Sequence, residues 1–144
     1  MNKIEPSLTT ETPISVVYGC LVTMLQGELY QDILERVKQD VLNKISFSTV
    51  KGIIFDMSGV KVLDSHSFDN LVEIAKTTRL LGVETVFVSL QPGVVSALVD
   101  LDVDITGFLS FLNMEEALSY LNATCLTNDD SYETEEDHSL IGDI

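Results

Sequence analysis

The sequence is poor in the residues on which most catalytic and metal-binding sites depend. Among 144 residues there are two cysteines, two histidines, three prolines and no tryptophan. The cysteines, Cys20 and Cys125, do not form a CxxC pair, and His66 and His138 lie far apart in the sequence. A disulfide framework or a zinc site is therefore excluded, and we expect no cofactor. This cysteine usage predicts a reduced, cytoplasmic protein.

Positive charge is scarce as well. The chain carries 8 Lys and Arg residues against 23 Asp and Glu residues, for a formal net charge of -15. Nucleic acids and anionic membranes attract clusters of lysine and arginine, so this balance excludes both as partners. No apolar run is long enough to cross a membrane, and residues 1–13 lack the apolar core of a signal peptide.

The negative charge is concentrated at the C-terminal end. Residues 127–144 hold seven Asp and Glu residues and no Lys or Arg, so they contribute -7. A segment with so few apolar residues cannot offset the entropy lost on ordering, which predicts a disordered acidic tail. This tail is either a solubilising segment or a docking or autoinhibitory arm for a basic partner. The remaining length suits one compact domain over residues 13–126, behind an N-terminal arm over residues 1–12.

Hydrophobic patterning predicts an α/β fold with the element order ββαβαβαβα. Gly19 separates two β-branched runs that predict an antiparallel hairpin, and the later strands alternate with helices. Such alternation predicts a mixed, mostly parallel sheet with crossover helices. The predicted strands cover residues 14–18, 20–25, 53–55, 85–90 and 108–112, and the predicted helices begin near Asp32, at Ser65, at Pro92 and after Asn113.

Several finer features of these elements are also predicted. Residues 56–64 should form a loop after the third strand, and Gly82 should end the second helix. The inner face of that helix should carry Phe68, Leu71, Val72, Ala75 and Thr78, and the third helix should pack through Val94, Val95, Leu98 and Val99.

The motifs of common enzymes are absent. The sequence has no GxSxG elbow, no phosphate-binding loop and no HExxH motif. Ser65 and His66 are adjacent, and adjacent helical residues do not face each other, so they form no nucleophile and base pair. We therefore predict no catalytic residue and no enzymatic activity.

Asp56 follows a buried strand, where receiver domains place a phosphorylated aspartate. Such domains also need an acidic pair after the first strand and a lysine after the last one. The corresponding stretches here are Tyr18-Gly19-Cys20 and Leu112-Asn113-Met114, which supply neither. A turn-forming role for Asp56 is favoured, and a receiver-like phosphoaspartate domain remains an alternative.

The dipeptide Asp64-Ser65 opens the second predicted helix. A hydroxyl at this position caps a free backbone N–H in many helices. The same position also tolerates a phosphoryl group, since backbone N–H groups and the helix dipole favour negative charge there. Phosphorylation of Ser65 would crowd Asp64 and Asp69 and change the surface potential without unfolding the helix, as suits a binding switch.

Several stretches resemble the STAS domain family (sulphate transporter and anti-sigma factor antagonist). They are residues 51–56 (KGIIFD), 62–65 (VLDS), 81–88 (LGVETVFV) and 89–94 (SLQPGV). The resemblance covers roughly residues 12–126 and includes the element order. The Gln91-Pro92 pair and the Cys20-Leu21-Val22 strand are similar to the RsbS-type stressosome scaffold within this family.

This resemblance implies a function. Family members of the RsbS type join sensor-bearing STAS paralogues in a large complex that holds a serine protein kinase. Phosphorylation of the serine that corresponds to Ser65 releases the kinase, which then activates a serine phosphatase. The resemblance thus implies a homo- or hetero-oligomeric scaffold in a bacterial stress response, with Ser65 as phosphoacceptor. Residues 66–69 (HSFD) are more polar than that subfamily's usual run.

The kinase should contact the residues around the phosphoacceptor and at the end of the neighbouring strand. We expect these to be Asp64, His66, Ser67, Asp69, Ser89 and Gln91. Two other functions stay open: a one-to-one anti-sigma factor antagonist with the same serine switch, and a STAS module that binds a small molecule or an anion.

Overall fold

The computed structural model describes residues 12–124. The predicted acidic tail, Cys125 and all of the N-terminal arm except Thr12 lie outside the described residues. None of the helices within residues 12–124 combines the length and the apolar character that crossing a membrane requires.

Residues 12–124 form five strands and four helices, which follow one another in the predicted order. The strands are β1 (Ile14–Val17), β2 (Cys20–Gln26), β3 (Gly52–Gly59), β4 (Thr85–Val88) and β5 (Ser110–Phe111). The helices are α1 (Gln31–Phe47), α2 (Ser65–Leu80), α3 (Pro92–Asp100) and α4, which occupies residues 114–124 of the described part.

One sheet contains all five strands in the order β1-β2-β3-β4-β5. β1 pairs with β2 antiparallel, and every later pair is parallel. The hairpin turns through Tyr18 and Gly19, whose φ angles of 48° and 80° are both left-handed. Two left-handed central residues are typical of the two-residue turn that matches strand twist. The predicted mostly parallel α/β fold is confirmed.

β3 is longer than predicted, and the predicted loop over residues 56–64 is wrong for its first four residues. β3 stays paired with β2 through Asp56, and after a bulge between Met24 and Gln26 the pairing resumes at Gly59. The N–H of Gly27 then donates to the carbonyl of Gly59 at 3.0 Å. The two-strand pairing thus extends β3 beyond its apolar run.

The sheet separates two apolar clusters. The larger cluster contains the buried residues of α1, α2 and α3 and one face of the strands. The smaller cluster lies on the other face and includes Cys20, Ile54, Ala117 and Leu121, so it is covered by α4. The larger cluster also contains a chain of aromatic contacts, in which Phe87 stacks on Phe108 with ring centroids 4.2 Å apart.

The inner face of α2 is confirmed. All five residues predicted there are buried, namely Phe68, Leu71, Val72, Ala75 and Thr78. The hydroxyls of Thr78 and Thr85 lie 2.6 Å apart, which links the helix to β4. Gly82 has a φ of 85° just after the helix, as expected for its predicted stop.

The inner face of α3 is narrower than predicted. Val94 and Leu98 are buried, whereas Val95 and Val99 are 45% and 72% exposed, so the prediction that all four pack inward is wrong. The strand before this helix also ends early, at Val88, because Ser89 has a left-handed φ of 62° that a strand cannot accommodate.

The last strand and the last helix differ from the prediction only in their bounds. β5 has two residues in place of the five predicted. Asn113 caps α4 as predicted, since its Oδ1 accepts the N–H of Glu116 at 2.9 Å. At the far end of α4, a Cβ placed on Gly52 would lie 2.7 Å from Leu121, so the helix approaches β3 as closely as glycine permits.

Candidate phosphorylation site

The start of α2 is capped by Asp64, and the prediction of a cap at Ser65 is wrong. Asp64 has extended backbone angles, and its Oδ1 accepts the N–H of Ser67 at 2.7 Å. Its carbonyl accepts the N–H of Phe68 at 2.9 Å. The aspartate therefore satisfies the helix start without help from the next residue.

Ser65 is the first residue of α2, and its side chain is exposed. Within residues 12–124 its hydroxyl makes no hydrogen bond, whereas the neighbouring Asp64 and Ser67 side chains are both engaged. Modification of the Ser65 oxygen would therefore break no bond in the described part of the fold.

Ser67 is turned inward and is only 9% exposed. Its hydroxyl donates to the carbonyl of Leu29 at 2.8 Å and so ties the first turn of α2 to the segment before α1. A partner at the surface would meet little of this side chain. Ser67 thus helps to position the helix start, and its predicted contact with a kinase stays a prediction.

The other residues near Ser65 are exposed and mostly acidic. His66 faces solvent on the first turn of α2, and Asp69 is exposed at the start of the next turn. Hydrogen bonding from the backbone N–H of Ser67 lowers the pKa of Asp64, with a smaller effect from nearby His66. This carboxylate therefore stays charged through the physiological range.

Three residues that sequence reasoning missed border the site. Glu28, Tyr30 and Val62 line a shallow depression together with Asp64 and Ser67. Tyr30 and Val62 are 59% and 65% exposed, which is high for large apolar groups. The Tyr30 hydroxyl donates to the Glu28 carboxylate, and this bond raises the pKa of Tyr30. Their sequence signal was weak, because all three residues lie in links between elements, where no periodic pattern applies.

Ser89 and Gln91 lie just beyond β4, at the edge of the sheet where the parallel strands end. Gln91 donates from Nε2 to the carbonyl of Ser58 at 2.6 Å, which fastens this segment to the end of β3. Both residues are half-buried. The two segments, 64–69 and 89–91, therefore start at the ends of neighbouring strands, on the same edge.

Asp56 does not form part of a metal cradle. Its Oδ1 accepts the N–H of Ser58 at 2.9 Å, in agreement with the predicted local turn role. Among residues 12–124, no three His, Cys, Asp or Glu side chains are grouped to hold a metal ion.

Replacing the cap should measurably weaken the fold. Asp64→Ala is expected to lower the free energy of unfolding by about 0.5–2 kcal/mol at neutral pH, because the N–H of Ser67 loses its acceptor. Since the pKa of Asp64 is lowered by folding, this stabilisation is present above about pH 4 and is lost as the pH falls through the folded-state pKa. Urea denaturation at neutral and acidic pH measures both effects. An equal loss at both values would show that the charge is irrelevant.

Comparison with known proteins assigns the family. The STAS domain family matches residues 11–122. Two solved structures are similar at 27% identity: RsbS from Moorella thermoacetica (TM-score 0.67, 81% of this chain, 98% of that chain) and a chain of the stressosome, a signal integration and transduction hub (TM-score 0.66, 78% and 98%). The RsbT co-antagonist protein RsbRD of Bacillus subtilis is 24% identical over 101 residues, which span 70% of this chain and 36% of RsbRD. The chain therefore belongs to the STAS domain family and is related to stressosome components.

Proposed function

We propose that this protein is a non-catalytic scaffold of a bacterial stress-signalling complex, the stressosome, which holds a serine kinase and releases it when Ser65 is phosphorylated. The observation that carries the proposal is that Asp64 and Ser65 have different roles at the start of α2. Asp64 caps the helix, so the exposed Ser65 hydroxyl is available to accept a phosphoryl group. Similarity to RsbS and to a stressosome chain supports the same function.

The chemistry follows from this geometry. The Ser65 oxygen attacks the terminal phosphorus of ATP, the bond to ADP breaks, and the hydroxyl proton passes to a base of the kinase. The kinase supplies ATP and Mg²⁺, as in protein kinases generally. The product is a phosphate of nearly two negative charges beside Asp64.

The helix start tolerates this phosphate, whereas a bound kinase does not. Backbone N–H groups at the first turn of α2 favour a negative group electrostatically. The acids Glu28, Asp64 and Asp69 already make this surface negative, and a phosphate in their midst raises the negative charge sharply. Because the kinase would have packed against the unmodified hydroxyl, it would leave this added charge unpaired in the interface, and release follows.

The kinase contacts would come from two segments. The exposed side chains Asp64, His66 and Asp69 surround Ser65, and Ser89 and Gln91 lie at the neighbouring strand end. Tyr30 and Val62 add exposed apolar surface at the depression and suit an apolar contact at the centre of an interface. Ser67 supports this surface indirectly, because its hydrogen bond to the carbonyl of Leu29 fixes the helix start.

Phosphate mapping tests the proposal. Incubation of the full chain with its cognate serine kinase and Mg-ATP should add one phosphate, and mass spectrometry should place it on Ser65. The modified protein should elute apart from the kinase in size-exclusion chromatography, whereas the unmodified one should co-elute with it. A phosphate on any other residue, or co-elution after modification, would contradict the proposal.

The scaffold role has its own test. Mixed with a sensor-bearing STAS paralogue, the chain should form a particle far larger than either protein, as measured by light scattering. A complex limited to one copy of this chain and one kinase would instead identify a one-to-one antagonist. A thermal-shift screen that finds a stabilising anion would favour the ligand-binding alternative.

A further inference from the structure

The edge of the sheet where the parallel strands begin exposes large apolar side chains. β2, β3 and β4 begin at this edge, and α1 and α2 end there, so it lies opposite the edge that carries Ser65. Phe47 and Leu80, the last residues of these two helices, are 89% and 88% exposed. Leu81 and Tyr18, the latter in the hairpin turn before β2, are exposed as well. Apolar side chains of this size, exposed at one edge, mark an interaction surface.

The same edge carries positive charge in its part between β1 and β4. Lys44 and Arg79 lie in the last turns of α1 and α2, where they offset the negative ends of the helix dipoles. Lys51 lies just before β3. The acid Glu84 of this region is paired with Arg79 at 3.0 Å. We define the basic apolar edge as Tyr18, Lys44, Phe47, Lys51, Leu80 and Leu81.

The part of the chain that the structure describes ends at this edge. α4 runs back across the sheet from the end of β5, and near its end the Nζ of Lys51 donates to Oδ1 of Asn122 at 3.0 Å. Leu121, one residue earlier, lies against the start of β3. Residues 125–144 therefore continue from a point beside Lys51. The residues that precede Leu140 can extend over about 50 Å, so the whole edge is within their reach.

The sequence of this segment complements the basic apolar edge. Residues 129–137 (DDSYETEED) are mostly acidic and include no base, and Leu140, Ile141 and Ile144 follow them. The acids match the lysines of the edge, and the aliphatic residues match its exposed apolar side chains. The sequence prediction of disorder considered this segment without a surface. The edge supplies the cations and the apolar area that the segment lacks by itself.

We infer that residues 129–144 bind the basic apolar edge of their own chain. The acids of residues 129–137 pair with the lysines of the edge, and the aliphatic residues after them cover its exposed side chains. The attachment at residue 124 favours the contact within one chain, because a short flexible linker gives an effective concentration on the order of millimolar. A second copy gains no such advantage and, at a formal net charge of -15, is repelled as a whole.

Other exposed surfaces are closed to this segment by their own acids. These acids lie at the end of α3, on the β5 side of the same edge, and around Ser65 at the opposite edge; they are Asp100, Asp102, Asp104, Glu28, Asp64 and Asp69. Charge therefore directs the segment to the part of the edge between β1 and β4. The contact is remote from Ser65, so a failure of either inference leaves the other standing.

Paramagnetic NMR of the full chain tests the inference. A nitroxide on Ser139→Cys, in a Cys125→Ser background whose remaining Cys20 is buried, should cause loss of the Phe47 amide signal. The Ser65 signal should persist, since the length of α2, about 24 Å, separates it from this edge. A retained Phe47 signal would overturn the inference. So would loss of that signal in an isotope-enriched, unlabelled chain mixed with the labelled one, because the contact would then join two copies.

Charge reversal then tests which surface holds the segment. Lys44→Glu in the labelled chain should restore the Phe47 signal, because it replaces an attractive charge with a repulsive one. Lys61→Glu is the matched control: it makes the same change on an exposed residue near the opposite edge and should leave the signal lost. Salt at 1 M, where charges are screened beyond about 3 Å, should also restore it. A folded Lys44→Glu variant that behaves like the Lys61→Glu control would refute the role of the basic apolar edge.

Discussion

Ser65→Ala should abolish phosphorylation and leave the kinase bound, whereas Ser65→Asp should weaken kinase binding by at least about tenfold. Alanine removes the acceptor oxygen and adds no charge. Aspartate adds a third acid to Asp64 and Asp69, and one misplaced charge in an interface costs several kcal/mol. It carries only one charge, against nearly two for phosphate, so its effect should be smaller than that of phosphorylation.

Isothermal titration and kinase assays measure these effects. Ser119→Asp is the matched control: it makes the same charge change on an exposed residue of α4, on the other side of the sheet, and should leave the affinity unchanged. Both Ser65 variants should keep their free energy of unfolding within about 0.5 kcal/mol of wild type, because Asp64 is the cap. An unfolded Ser65→Asp variant, or full phosphorylation of Ser65→Ala, would refute the switch.

Phe87→Ala should lower the free energy of unfolding by about 3–5 kcal/mol. Phe87 is fully buried in β4, and its ring stacks between Phe55 and Phe108 at centroid distances of 5.5 Å and 4.2 Å. Truncation removes both contacts and leaves a cavity that the rigid sheet cannot close.

Urea denaturation of the two proteins gives this difference directly. Phe47→Ala provides the control, since Phe47 is 89% exposed at the end of α1 and should change the free energy by no more than about 0.5 kcal/mol. A loss below about 1 kcal/mol at Phe87 would mean that the aromatic cluster is not the centre of the core.

The order of the elements was predictable because it depends on local periodicity. Buried strands such as β4 appear as continuous apolar runs, and α2 shows one clear apolar stripe. The length of β3 was not predictable, since it is set by pairing with β2 across the bulge at residues 24–26. The apolar run of one strand does not show how far its pairing with the adjacent strand extends.

The candidate site was predictable in part. The dipeptide Asp64-Ser65 marks the helix start, but only the geometry shows which of the two caps it. The inward turn of Ser67 depends on the carbonyl of Leu29, 38 residues away in sequence. The exposure of Val99 was not predictable either, because hydrophobicity alone does not distinguish a helix face that packs on the core from an uncovered one.

The first turn of α2 is anchored twice, by the Asp64 cap and by the bond from Ser67 to Leu29. A phosphate on Ser65 would therefore displace little of the backbone, and the phosphorylated and unmodified forms would differ in electric field more than in shape. Fields in solution fade over about 8–10 Å at physiological ionic strength. In the proposed switch, only a partner already in contact with this surface would therefore respond to the phosphate.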